Sequence, residues 1–212
     1  MRKGFIIIIA IITFSVPASF GAKVHGYFIT NAGDTVRTVF RVPVNLLSNA
    51  LTYEKMQWKV KYGDKNIQAH TLMPDQATEF CFTYRGIPVR FLSVKNSIKA
   101  SSSGFNPAPK IFLQLILVGT LNMFNFYEYD GFAGSNPTSP DVVMRESPGW
   151  HVVKILQKNS GELFRPRIAF FRKDMCNYLS DCPGLTEKIN NRTYKSEDLK
   201  RIVEEYNEMC TP

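Results

Sequence analysis

Hydrophobic and polar residues alternate along most of the chain up to residue 171, and the apolar period lengthens to a helical one after it. Met56, Trp58, Val60 and Tyr62 alternate with Gln57, Lys59 and Lys61, which predicts a strand with one wet face. In an earlier run, Val36, Phe40 and Val42 share one face while Arg37 and Arg41 share the other. Phe80, Phe82 and Tyr84 line one face of a third run. Turn-forming clusters separate these segments: Asn31-Ala32-Gly33-Asp34, Gly63-Asp64-Lys65-Asn66 and Arg85-Gly86. Residues 111–118 and 121–129 are apolar without clean alternation, which predicts strands covered on both faces. Residues 150–157 and 162–171, joined by Lys158-Asn159-Ser160-Gly161, predict a β-hairpin whose Pro166 marks an edge or a bulge.

Beyond residue 171 the signals are helical. Residues 175–179 predict a short turn or helix. Asp181 is placed to cap the next helix, with Pro183 in its first turn. Ser196 is the expected N-cap of the last helix, with Glu197 and Asp198 at its positive end. Leu199, Ile202, Val203, Tyr206 and Met209 then form one apolar stripe. The pattern as a whole predicts an α+β protein. A mainly antiparallel β domain over residues 22–171, either a sandwich or an open barrel, is followed by a small C-terminal helical unit over residues 172–212 packed on it.

Residues 1–21 stand apart from this pattern. Arg2 and Lys3 precede an apolar run over residues 4–16, Pro17 ends it, and Ser19 and Gly21 suit a cleavage site. This is the layout of a secretory signal peptide, with the cut expected after Gly21. The run is shorter than the roughly 20 residues that cross a bilayer. No cysteine near the cut offers a lipid attachment point, and no later apolar run reaches spanning length. The expectation is an exported, soluble protein of the periplasm or the extracellular space, without a membrane span in its mature form. Loss of Arg2 and Lys3 leaves 24 basic residues against 18 acidic ones, a formal charge of +6 (26 − 2 = 24; 24 − 18 = 6). An exported chain is not expected to meet nucleic acid. Its anionic partners would be lipid head groups, envelope glycan or an acidic face of an envelope protein.

An oxidising compartment gives the four cysteines, Cys81, Cys176, Cys182 and Cys210, a structural reading. A clip between Cys182 and Cys210, or between Cys176 and Cys210, would tie the C-terminal segment to itself. Their spacing lacks the close pair of a zinc site and no histidine is near, so neither metal nor cofactor is expected. His25, His70 and His151 fall in separate predicted strands without a metalloprotease spacing. No nucleophile elbow, P-loop, dinucleotide fingerprint or EF-hand loop occurs, and no catalytic residue is assigned. Asp75 with Glu79, and Glu128 with Asp130, are the carboxylate pairs available for glycoside chemistry. Two surface features remain. Arg37, Arg41, Lys59 and Lys61 make one basic patch if their strands are neighbours. Tyr127, Tyr129, Phe132 and Trp150 flank a Pro- and Gly-rich stretch at 130–149 and would suit a sugar or peptide site.

Gly26-Tyr27-Phe28-Ile29-Thr30-Asn31 with Gly33-Asp34-Thr35-Val36 resembles the GYIITNxGDTI opening of uncharacterised exported proteins common in Bacteroidetes. The ending resembles theirs more closely: Tyr178-Leu179-Ser180-Asp181-Cys182-Pro183, Leu185, Lys188-Ile189 and Tyr194, then Asp198-Leu199, Ile202-Val203 and Tyr206-Asn207. Phe112-Leu113, Gly119-Thr120-Leu121 and Gly161-Glu162-Leu163 are similar to the family's middle. Arg37-Thr38-Val39 departs from the Gly-Lys-Ile that many members carry. The resemblance implies export and a β-rich body with a helical tail. The family has no established activity, so no catalytic residue transfers. The reading that results is an exported, non-enzymatic protein that binds or scaffolds in the cell envelope. The alternative is an envelope glycan hydrolase with paired carboxylates. A third, an outer-membrane barrel, is opposed by the polar wet faces, the helical tail and the terminal Cys210-Thr211-Pro212.

Overall fold

The computed structural model describes residues 21–45, 47–63, 69–98, 108–130 and 149–210. The signal-peptide segment up to residue 20, Phe132 and most of the 130–149 stretch lie outside the described residues.

Nine strands form one antiparallel sheet: β1 (Gly21–Thr30), β2 (Thr35–Pro43), β3 (Val60–Tyr62), β4 (His70–Leu72), β5 (Ala77–Tyr84), β6 (Ile87–Lys95), β7 (Lys110–Leu117), β8 (Leu121–Asp130) and β9 (Gly149–Lys158). Their spatial order is β4-β3-β2-β1-β5-β6-β7-β8-β9, so the chain returns across the sheet once, between β4 and β5. The sheet curls into a half-barrel. Of the two architectures expected, the open barrel is the one formed, because a single curled sheet encloses its own core. Tight turns hold the first and third hairpins, with Gly33 at φ 93° and Gly86 at φ 79°, the region that glycine enters freely.

The inner face of β1 to β7 is lined by Phe28, Phe40, Phe80, Phe82, Phe91 and Phe112, all buried. Phe80 stacks on Phe91 and meets Phe112 edge-on, each at 4.8 Å between ring centroids. Gly26 makes room for this packing. A Cβ there would lie 2.2 Å from the Cys81 carbonyl oxygen and 2.9 Å from both Phe40 and Phe82. The non-alternating β7 and β8 are covered on both faces, as their composition predicts. Ile111, Leu113, Phe124 and Ile155 form a cluster on the outer face. Leu121, Met123 and Leu156, on the inner face, lie beneath the helices.

Three local expectations give way to tertiary context. The run 56–62 is a 3-10 turn at Tyr53–Met56 and a strand only over Val60–Tyr62. Gln57 leaves the alternation because its side chain is fully buried in a gap between β7 and β8. The second strand expected at 162–171 reduces to one bridge, Leu156 to Phe164, followed by a 3-10 turn at Ile168–Phe170. Pro166 has no N–H to extend that ladder. Neither expected cap acts as one. Cys182 occupies the N-cap position while the Asp181 carboxylate is taken by Lys158 and Tyr206, and Ser196 lies inside a 3-10 turn.

The helical unit comprises α1 (Phe171–Tyr178), α2 (Pro183–Asn190) and α3 (Leu199–Met209). Leu199, Ile202, Val203 and Tyr206 of the α3 stripe are buried, and Met209 is not. Cys182 and Cys210 are at disulfide distance, with Cα atoms 5.7 Å apart. Cys176 is free, its thiol donating to the Thr186 carbonyl at 3.6 Å, and Cys81 is also free. No helix of the described residues is long and apolar enough to cross a membrane.

Candidate functional site

The basic residues singled out in the sequence come together on the outer face of β1 to β3. Strand register places Lys23 opposite Arg41, and Arg41 opposite Lys61. Three cations thus stand in one row across three strands. Arg37 lies further along β2, opposite Tyr27, and Lys59 precedes β3. Among the described residues, no carboxylate forms an ion pair with Lys23, Arg37, Arg41, Lys59 or Lys61. Arg41 Nε is buried without a hydrogen-bond partner. Beside the row is an open depression of about 1060 Å³ lined by His25, Tyr27, Arg37, Tyr62 and His70. Two of the three histidines, distant in sequence, therefore meet the basic patch. Tyr62 and His70 sit 5.4 Å apart, ring to ring. The third, His151, lies elsewhere, with Nε2 3.3 Å from a Glu128 carboxylate oxygen.

The aromatic residues occupy the inner face at the far end of β8 and β9. Tyr129 and Trp150 are a direct cross-strand pair, their ring centroids 5.3 Å apart, with exposures of 54% and 51%. Tyr127, one row further in, is fixed on all sides. Its ring stacks on Tyr53 at 5.5 Å and its hydroxyl donates to Gln114 Oε1 at 2.6 Å. Burial pushes its phenol pKa well up. Val152 faces it across the ladder, and Lys154 follows opposite Asn125. The Lys154 ammonium donates to Asn125 Oδ1 at 2.6 Å, and Asn125 Nδ2 donates to Gln114 Oε1 at 2.9 Å. Burial holds the Lys154 ammonium below its ordinary value. Gln114, Asn125 and Lys154 were not singled out in the sequence. Their only signal there is polarity inside two apolar strands.

Of the carboxylates considered for glycoside chemistry, Glu79 and Glu128 are engaged by basic side chains. Glu79 accepts hydrogen bonds from Arg90 and, at 3.2 Å, from the Tyr27 hydroxyl, while Asp75 is exposed in a turn. Glu128 meets Arg165 at 3.0 Å as well as His151. Among the described residues, no group of three or more histidines, cysteines or acids is placed to hold a metal ion.

A third cluster docks the helices. Lys158 Nζ reaches Asp181 Oδ1 at 2.5 Å and lies over the rings of Tyr178 and Tyr206. The Tyr206 hydroxyl donates to Asp181 Oδ2 at 2.5 Å. Burial would raise the Asp181 pKa, but the hydrogen bonds from Lys158 and Tyr206 outweigh it and hold the carboxyl below its ordinary value. Next to it, Asn207 Oδ1 accepts from the Leu121 amide at 2.8 Å and its Nδ2 donates to the Leu121 carbonyl at 2.9 Å. A Cβ on Gly119 would lie 2.4 Å from that amide group.

Fold and surfaces thus define an antiparallel half-barrel clipped to a helical unit, with a cationic outer face and an aromatic inner strip. No family model, no curated protein and no solved structure matches the chain.

Proposed function

We propose that the protein is an exported, non-enzymatic binding protein of the cell envelope that engages an anionic partner through the outer face of β1 to β3. The observation that carries this reading is the row Lys23–Arg41–Lys61. Like charges directly opposite one another on a sheet are destabilising. Here three stand in register without an acid to offset them. An anionic group lying across the row relieves that repulsion. Arg37, Lys59 and the histidines of the adjoining depression extend the same potential. The expected export, the resemblance to exported envelope proteins and the net charge of +6 expected after cleavage support a phosphate- or carboxylate-bearing surface as the partner.

Co-sedimentation with vesicles tests it. The protein should bind vesicles rich in phosphatidylglycerol and ignore phosphatidylcholine vesicles. Binding should weaken steeply as salt shortens the screening length to below about 10 Å. A soluble anionic glycan added as competitor distinguishes a polymer from a head group as the natural source of the anion. The triple change Lys23→Glu, Arg41→Glu, Lys61→Glu should abolish binding while the protein still melts cooperatively. Equal binding to both vesicle types, or an unaffected triple variant, would sink the reading.

A further inference from the structure

The inner strip of β8 and β9 differs in chemistry from the outer basic row and lies on the other side of the sheet. We propose that this strip is a binding site for an anionic saccharide, with a sugar ring lying on Tyr129 and Trp150 and an acidic group further along the chain reaching Lys154.

Three features of the strip combine. The first is the platform. Tyr129 and Trp150 are half-exposed in direct opposition, and Val152 beside them is 49% exposed. A contiguous apolar surface of this kind on a folded sheet marks an interaction site. The second is rigidity. Tyr127 is locked by Tyr53, by Gln114 and through its backbone by Gln57, so the strand that carries Tyr129 is fixed one row away. A site built on fixed strands loses little freedom when a ligand arrives. The third is charge. Lys154 uses one of its three donors on Asn125, and among the described residues it meets no carboxylate. Its side chain is exposed, so its remaining donors are open to an anion.

Spacing and shape select the ligand. Trp150 and Lys154 are on the same face four residues apart, which is about 13 Å along a strand. One small ion cannot serve both ends, and an extended molecule can. The platform is open, so a ligand must lie flat on it. Apolar peptide side chains gain their affinity by filling pockets. A pyranose presents a flat face of C–H groups to an aromatic ring, and its hydroxyls suit the amides of Asn125 and Gln114. Lys154 adds the preference for a carboxylate or phosphate on the same chain.

Titration calorimetry on the whole protein decides it, using an oligogalacturonate, a neutral galactan oligomer of equal length and an apolar peptide. The acidic oligomer should bind, and the neutral one more weakly. Trp150→Ala should weaken both by about tenfold through lost stacking. Lys154→Gln should weaken the acidic oligomer alone, also by about tenfold, and bring the two to parity. Both positions are exposed enough that melting curves should hardly move. The proposal is overturned if the acidic oligomer does not bind, if the neutral one binds equally well, or if the peptide is preferred. It is overturned too if both variants bind normally while the Lys23, Arg41 and Lys61 triple variant does not.

Discussion

Gln57 and Tyr127, 70 residues apart, are joined by two hydrogen bonds that copy a rung of a β-ladder. The Tyr127 amide donates to Gln57 Oε1 at 2.6 Å, and Gln57 Nε2 donates to the Tyr127 carbonyl at 2.8 Å. The Gln57 carbonyl accepts from the Phe112 amide at 2.9 Å, so one residue spans the gap between β7 and β8. The 53–58 segment thereby ties the β2 side of the half-barrel to its β8 side. Gln57→Ala strands two buried backbone groups of Tyr127. A loss of about 2–6 kcal/mol is expected, from roughly 1–3 kcal/mol for each of the two unsatisfied groups. Urea melts of the variant and the wild type measure it, and an unchanged midpoint would contradict the bridging role.

Asn207 repeats the device at the other end of β8, on Leu121. Asn207→Ala should therefore cost about 2–6 kcal/mol by the same reckoning. Gly119→Ala tests the same contact from the opposite side. The new methyl group displaces the Asn207 amide from both of its bonds to Leu121. The two changes should be non-additive in a double-mutant cycle, since either one removes the same pair of bonds.

The Cys182–Cys210 clip closes 28 residues around α2 and α3. Loop-closure entropy puts its worth at about 3.5 kcal/mol for a loop of this size. Reduction, or Cys182→Ala with Cys210→Ala, should lower the melting point accordingly. Thiol labelling of the denatured, unreduced protein should find two reactive cysteines, Cys81 and Cys176. Labelling of all four would contradict the pairing.

Acid should loosen the helical unit before the sheet. Hydrogen bonds from Lys188 and Tyr194 hold Glu205 below the ordinary carboxylate value, and those from the Arg167 side chain and backbone do the same for Asp174. Asp181, also depressed, belongs to the same unit. Groups with lowered folded values give stability that is complete above the unfolded value, about pH 4, and is lost as the pH falls through the folded ones. Hydrogen exchange at successively lower pH should show α2 and α3 opening first. Lys158→Met should flatten that dependence by removing a partner of Asp181. Uniform opening of sheet and helices would argue against it.

Much of the sheet was legible because burial on one face enforces period two. Phe40, Phe80 and Phe82 announce their strands. The α3 stripe was equally plain from Leu199 to Tyr206, whereas Met209, the last residue of the helix, is exposed. Gln57 was not legible. Its polarity fits the wet face of a strand, and only the gap between β7 and β8 makes burial favourable. Asp181 was misread as a cap for a similar reason, since a lysine and a tyrosine from distant segments outcompete the local helix end. Of the two candidate sites, the basic residues were visible in alternation, but their alignment with Lys23 and His25 depends on register. Tyr129 and Trp150 were flagged by position, whereas Lys154 acquires meaning only once it stands two rows from them.

The two side-chain amides that grip β8 also set a timetable. One comes from the first third of the chain and the other from its last helix, with separations of 70 and 86 residues. Contacts that close such long loops slow folding. Strand β8 cannot be sealed at both ends until Asn207 has emerged, 86 residues after Leu121. Until then its backbone groups stay open to water and to other strands. The molecule is thus built to complete its barrel late, only once α3 is there to close it.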